Sequence, residues 1–201
     1  MNRKIVLSTA YLPPIEYFAR IIEADEVLIE REENYLKQSY RNRCYILSSD
    51  KPQYLTVPVY LGSFHKTHIR DIRIDYSKRW QQIHLRALTS AYCASPYFIF
   101  YFEVIEKIIL SNHEFLLDLN MELIEAVMKM MNFNRKISYT SEFIKVKDNP
   151  GDFRYAINPK KSSSYPSKKY IQVFTTKEGF VSGLSIADLI FNTGPDAAEY
   201  L

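Results

Sequence analysis

Glycine and cysteine are scarce in this chain. Five glycines in 201 residues form neither a GxGxxG nor a Walker A run, so dinucleotide or ATP binding through those loops is unsupported. The two cysteines, Cys44 and Cys93, make no disulfide framework and suit a reducing compartment. On a helix, Cys93 and His84 point to opposite faces and form no nucleophile–base dyad. His65 and His68 have no further Cys or His nearby, so no metal site is expected. No charge sign dominates: 26 Lys and Arg face 23 Asp and Glu, a net charge of +3. Charge alone therefore gives no case for a nucleic-acid partner. No long apolar run exists either. The richest stretch, Tyr97 to Leu110, is broken by Glu103, Glu106 and Lys107, so no membrane span is expected. The opening MNRKIVLST is too short for a signal peptide, and the expected location is the cytoplasm. What is abundant is aromatic: 16 Tyr and 12 Phe in a chain that is 47% hydrophobic, enough to bury a core. The length suits one domain, 1–201.

Ile5-Val6-Leu7 reads as a buried strand that ends at Pro13-Pro14. Pro14 suits the first turn of a helix. Ile15, Phe18, Ala19 and Ile22 then mark one helical face. Val27-Leu28-Ile29 is a second buried strand, and so short a strand–helix–strand unit implies parallel pairing. Arg31 to Asn42 reads as a polar loop. Arg43 to Leu47, the alternating Leu55, Val57 and Val59, and Ile69 to Ile74 read as later, antiparallel strands. Helices follow: Ser77 to Cys93, a second with Pro96 at its first position, and a third from Leu116 to about Asn132. The stripe Tyr97, Phe100, Tyr101, Val104, Ile105 and Ile108 is the expected buried face of the second. Arg135 to Thr140 and Tyr170 to Phe174 read as further strands, with 145–169 irregular or flexible. Ser185 is a helix cap, and Gly194-Pro195 separates two short helices. Residues 170–201 are expected to form a structural cap, with a homodimer surface as the alternative. The fold class implied is α/β: a Rossmann-like βαβ entry, a mixed sheet with antiparallel strands, and a helical cover.

Three groups of side chains are candidates for chemistry. Lys37, Arg41 and Arg43 form a basic cluster. In an extended chain Arg41 and Arg43 face one way, and paired guanidinium forks suit phosphate or carboxylate. Tyr35 and Tyr40 add flat surfaces for a sugar or base, and Lys66 joins the cluster from a neighbouring loop. Trp80 and His84, four apart on a helix, share a face that Tyr92 extends. His84 is the candidate acid or base; the alternative is a buried, hydrogen-bonded core histidine. The first strand, its loop and the following helix N-terminus make an anion site beside Tyr11, with plain packing of Tyr11 and Tyr17 as the alternative.

These residues, in order, resemble the WbqC-like family. The resemblance runs through Leu12-Pro13-Pro14-Ile15-Glu16-Tyr17-Phe18, Tyr35-Leu36-Lys37, Arg41-Asn42-Arg43 and Leu55-Thr56-Val57-Pro58-Val59. It continues through Trp80, His84, Ala91-Tyr92 and Ser95-Pro96-Tyr97-Phe98. The tail, Leu184 to Asn192 with Gly194-Pro195, is similar to a short form of the family common in Bacteroidetes. The resemblance implies a place in surface-polysaccharide (O-antigen) biosynthesis and a phosphate-bearing sugar or nucleotide-linked substrate. It implies no cofactor and no particular reaction. Pro14-Ile15-Glu16-Tyr17 also lacks the two histidines and the glycine that HIGH-type nucleotidyltransferases carry at the helix start, so that chemistry is not implied. The expectation is a transferase-type enzyme binding a small anionic ligand; the alternative is a non-catalytic binding or scaffold protein of the same pathway.

Overall fold

The computed structural model describes residues 3–49, 51–60, 66–143, 145, 150–161, 163, 165–174 and 179–201. Strand β1 (Lys4–Ser8) buries Ile5, Val6 and Leu7 together, the pattern of a strand covered on both faces. Helix α1 (Ile15–Glu23) begins just after Pro14, which takes the cap position at φ −65°. Its buried face is Ile15, Tyr17, Phe18, Ala19 and Ile21, so Ile21 rather than Ile22 completes the stripe. Strand β2 (Glu26–Glu30) returns parallel to β1, with Ile5 opposite Val27 and Leu7 opposite Ile29. Strand β5 (Ile137–Tyr139) adds to the other side of β2, also parallel. Among the described residues the sheet order is β1-β2-β5.

The antiparallel strands do not join this sheet. Strands β3 (Arg43–Leu47) and β4 (Pro52–Thr56) pair with each other as a separate hairpin. The expected strand at Ile69 to Ile74 is instead a 3-10 turn, Ile69–Asp71, followed by isolated bridges. Ile69 and Ile72 are both fully buried, the three-residue spacing that a 3-10 turn eclipses. The Ile74 N–H donates to the Glu114 carbonyl and the Ile72 carbonyl accepts from Leu116, the first residue of α4, while pairing with residues 58–60 is a single antiparallel bridge between Val59 and Ile74. The expected strand at Tyr170 to Phe174 is irregular as well. Its alternation is real, with Tyr170 and Gln172 buried and Ile171 out in solvent. The buried side chains reach the carboxylate of Asp188, so a side chain, not a strand, takes that face.

The helices α2 (Trp80–Tyr92), α3 (Phe98–Leu110) and α4 (Leu116–Met130) follow one another and pack α2 on α3 and α3 on α4. Pro96 lies before α3, which starts at Phe98. The buried residues of α3 are Ile105, Ile108 and Ile109; Phe100 and Val104, expected inside, face out. Helix α4 is the most buried of these three, with Leu116, Leu119, Leu123 and Val127 all inside. Helix α5 (Ile186–Thr193) is capped by Ser185, whose hydroxyl accepts the Ala187 N–H at 3.2 Å. Gly194, at φ +62°, ends it against the ring of Tyr97, and a 3-10 segment, Gly194–Tyr200, follows. The tail is stitched to the start of the chain. Ile15 N–H donates to the Leu184 carbonyl, Ile186 N–H to Pro13, and the Ser185 hydroxyl to Leu12 at 2.7 Å. Among the described residues, no helix is long and apolar enough to cross a membrane.

Candidate functional site

His84 sits inside the protein, 2% exposed, on the inner face of α2. Its Nδ1 is 2.9 Å from the Tyr11 hydroxyl, and the Trp80 ring meets it edge-on at 5.1 Å. Burial lowers its pKa to about 4, with a hydrogen bond to the Thr56 backbone working the other way. A ring in this setting packs against its neighbours and hydrogen-bonds to Tyr11. Tyr11 and Trp80 complete that aromatic group. Tyr92 lies further along α2, fully buried against Phe191 at 5.3 Å, where burial and the Asp188 carboxylate both raise its pKa.

The basic cluster is split by depth. Residues 37–41 form a turn, with Gln38 at φ +55°, so the alternation expected of an extended chain does not apply to Arg41. Arg41 turns inward, 3% exposed, and its guanidinium grips Glu33 in a fork at 2.9 and 2.6 Å. Arg43, the first residue of β3, lies over the ring of Tyr54 at 5.4 Å. Tyr35 is near both arginines: burial pushes its hydroxyl up to about 12 while their charges oppose the rise. Lys37 and Lys66 stay on the surface, and His65 lies outside the described residues. The start of α1 is no open anion site. Its first N–H is taken by Leu184, and Glu16 puts a negative charge in the first turn.

The structure gathers a different polar cluster at the carboxyl ends of the parallel strands, where open α/β sheets place their ligands. Ser8 ends β1, Glu30 ends β2, and Thr140 follows β5. The Arg41 Nη2 donates to Ser8 Oγ at 2.6 Å. The Ser8 hydroxyl donates to the Arg154 carbonyl at 3.1 Å. Arg154, 1% exposed, donates Nη1 to Glu30 at 2.7 Å and Nη2 to Asp152 at 2.6 Å. Thr140 donates its hydroxyl to Glu30 at 2.7 Å. Asn120, from the middle of α4, ties Thr9 to the Arg41 carbonyl at 3.0 and 2.8 Å. Three carboxylates thus face two guanidiniums in a dry setting, where charged hydrogen bonds are strong only because each is matched. Asp152 reaches the cluster because the Gly151 and Phe153 backbones hydrogen-bond both sides of Val6. A water-sized cavity of about 10 Å³ lies between Ser8, Arg41 and Arg154. A second, of about 30 Å³, shares Tyr40 and Ile157 with it and is lined by Glu16, Asn158, Lys161 and Ser167.

Of the expected residues, only Arg41 belongs to this cluster. Glu30, Glu33, Asn120, Asp152 and Arg154 were not foreseen. The one available signal was positional: an acid at the last residue of an apolar strand, Glu30, followed by Glu33.

The model of the WbqC-like protein family matches residues 9–161, which hold Glu30, Glu33, Arg41, Asp152 and Arg154. The chain belongs to the WbqC-like protein family. An uncharacterized protein of Mycobacterium tuberculosis, Rv1507c, is 27% identical to this WbqC-like chain over its whole length and 98% of its own. No solved structure matches the chain at a significant level.

Proposed function

We propose that this WbqC-like protein is a transferase-type enzyme of surface-polysaccharide assembly. In this reading it binds a phosphate-bearing sugar or nucleotide-linked substrate at the mouth of the polar cluster, with the βαβ entry serving as a Rossmann-like platform. The observation that carries the reading is the matched set of buried arginines and carboxylates at the carboxyl ends of β1, β2 and β5. Burying so many charges is costly, and matched hydrogen bonds offset that cost without making the cluster a strong source of stability. In this reading the residues at the mouth would meet the parts of a sugar phosphate. Tyr40 offers a half-buried ring face, Asn158 and Ser167 offer hydrogen bonds for hydroxyls, and Lys161 offers a cation for phosphate. Glu33, oriented by both nitrogens of the Arg41 fork, is the proton acceptor in this reading.

A second reading, a non-catalytic binding protein of the same pathway, is favoured by the engagement of both buried guanidiniums with protein carboxylates. One experiment separates them. Thermal unfolding is recorded with sugar phosphates, nucleotides and nucleotide sugars, for the wild type, Tyr40→Ala and Lys161→Ala. A ligand that binds only the folded state raises the melting temperature by linkage. A rise in the wild type that shrinks in both variants supports the site. A rise of equal size in all three, or none across the panel, overturns it. With a ligand in hand, turnover lost in a folded Glu33→Gln variant that still binds supports the enzyme. Absence of turnover in the wild type supports the binding protein.

A further inference from the structure

We infer that the cleft between the end of α4 and the start of β5 is a second ligand site, for a small phosphorylated molecule with a planar or apolar body. The cleft has a volume of about 530 Å³, inside the range of about 300–1,000 Å³ typical of small-molecule pockets. Its origin is local. Helix α4 ends at Met130, and Asn132 takes the left-handed conformation at φ +52°. The Phe133 N–H then closes back on the Met128 carbonyl at 2.9 Å. This stop turns the chain off the helix before residue 137 pairs with β2, and the cleft lies in the angle.

Its walls are of two kinds. Met128, Phe133 and Ile137 supply apolar surface, and Lys129, Arg135 and Lys136 supply positive charge. Glu125 is the one acidic residue in the lining. The Arg135 guanidinium lies over the Phe133 ring at 5.4 Å and makes one long hydrogen bond, 3.4 Å, to the Ile22 carbonyl. Among the described residues, Lys129, Arg135 and Lys136 have no ion-pair partner, unlike the inward arginines Arg41 and Arg154. Complementing the helix C-terminus accounts for Lys129, which lies in the last turn of α4, but not for Arg135 and Lys136 beyond it. A guanidinium over an aromatic ring, with a single long hydrogen bond to the protein, suits a phosphate beside a planar or apolar group. This cleft is distinct from the polar cluster. It opens at the amino end of β5, whereas Thr140, beyond the carboxyl end, belongs to the cluster.

The test uses the full chain, isotope-labelled, titrated separately with adenosine monophosphate, octyl phosphate and inorganic phosphate. Amide shifts are followed for the wild type, Arg135→Ala, Arg135→Lys and Lys161→Ala. The expected result is saturable shifts within residues 128–137 from at least one of the two organic phosphates. Inorganic phosphate should bind more weakly. Arg135→Ala should weaken binding by about tenfold, and Arg135→Lys by less, because the point charge remains without the fork. Lys161→Ala should leave this affinity unchanged, which keeps the outcome separate from that of the polar cluster. Absence of shifts in 128–137 at millimolar ligand, or equal affinity in wild type and Arg135→Ala, would overturn the inference.

Discussion

Acid should destabilise this protein through His84. The ring is enclosed between Tyr11 and Trp80, and burial lowers its pKa from 6.5 to about 4. An unfolded chain binds that proton near its ordinary value, so between the two values the unfolded state holds more protons than the folded one. Stability therefore rises with pH across this window. The contribution is fully present above 6.5 and is lost as pH falls toward 4. One pKa unit is worth about 1.4 kcal/mol, so the full loss is about 3 kcal/mol. That is a large part of the 5–15 kcal/mol or so that holds a typical domain together. The comparison to make is urea unfolding of wild type and His84→Gln at about pH 7 and about pH 4.5. Glutamine keeps a polar group for Tyr11 but does not titrate. Between those two conditions the stability difference should move by about 2 kcal/mol in the variant's favour. Every other titratable group is common to both proteins and cancels. Parallel pH profiles would refute the reasoning, as would a directly observed His84 titration midpoint near 6.5.

Other variants probe the remaining buried groups. Arg41→Ala should cost about 3–5 kcal/mol in denaturant unfolding because it strands Glu33 without its partner. Adding Glu33→Ala should recover part of that loss; a further drop would show that the pair is not the cause. Asp188→Asn should unfold at higher urea than wild type near neutral pH. Burial raises the Asp188 pKa, so its contribution is present at acid pH and lost as pH rises through the folded value. An unchanged or lower midpoint would count against this. Ser185→Ala should cost about 1–2 kcal/mol, since the hydroxyl both caps α5 and bonds Leu12. Gly194→Ala should destabilise by more than about 1 kcal/mol, because a methyl at positive φ would be driven into the Tyr97 ring. A neutral result in thermal unfolding would show that the turn relaxes.

The parallel βαβ start and the long helices were legible because their signals are local. Ile5-Val6-Leu7 and Val27-Leu28-Ile29 are continuous apolar runs, and α4 repeats its leucines at helical spacing. The separate hairpin was not legible: which strands share a sheet depends on contacts between distant residues. Ile69 to Ile74 misled because two of three isoleucines alternate, while burial of Ile69 and Ile72 follows a spacing of three. Arg41 stands out by its charge, yet its partner Glu33 lies in a stretch that reads as a polar loop. Arg154 stood in a basic, irregular stretch, and nothing near it signalled Glu30, 124 residues earlier. Buried polar pairs need both members in view before either can be told from surface.

The stitching of Leu184–Ile186 to Leu12–Ile15 has a temporal consequence. Ser185 and Leu12 are 173 residues apart, so α1 emerges from the ribosome long before the carbonyl that accepts its first N–H. Until then the start of α1 and the inner face of β3 lack their covering residues. Contacts this distant are slow to form and leave apolar surface exposed while the chain waits. Nascent or prematurely terminated chains should consequently be good chaperone and protease substrates, and release of the completed tail should be what makes the fold permanent.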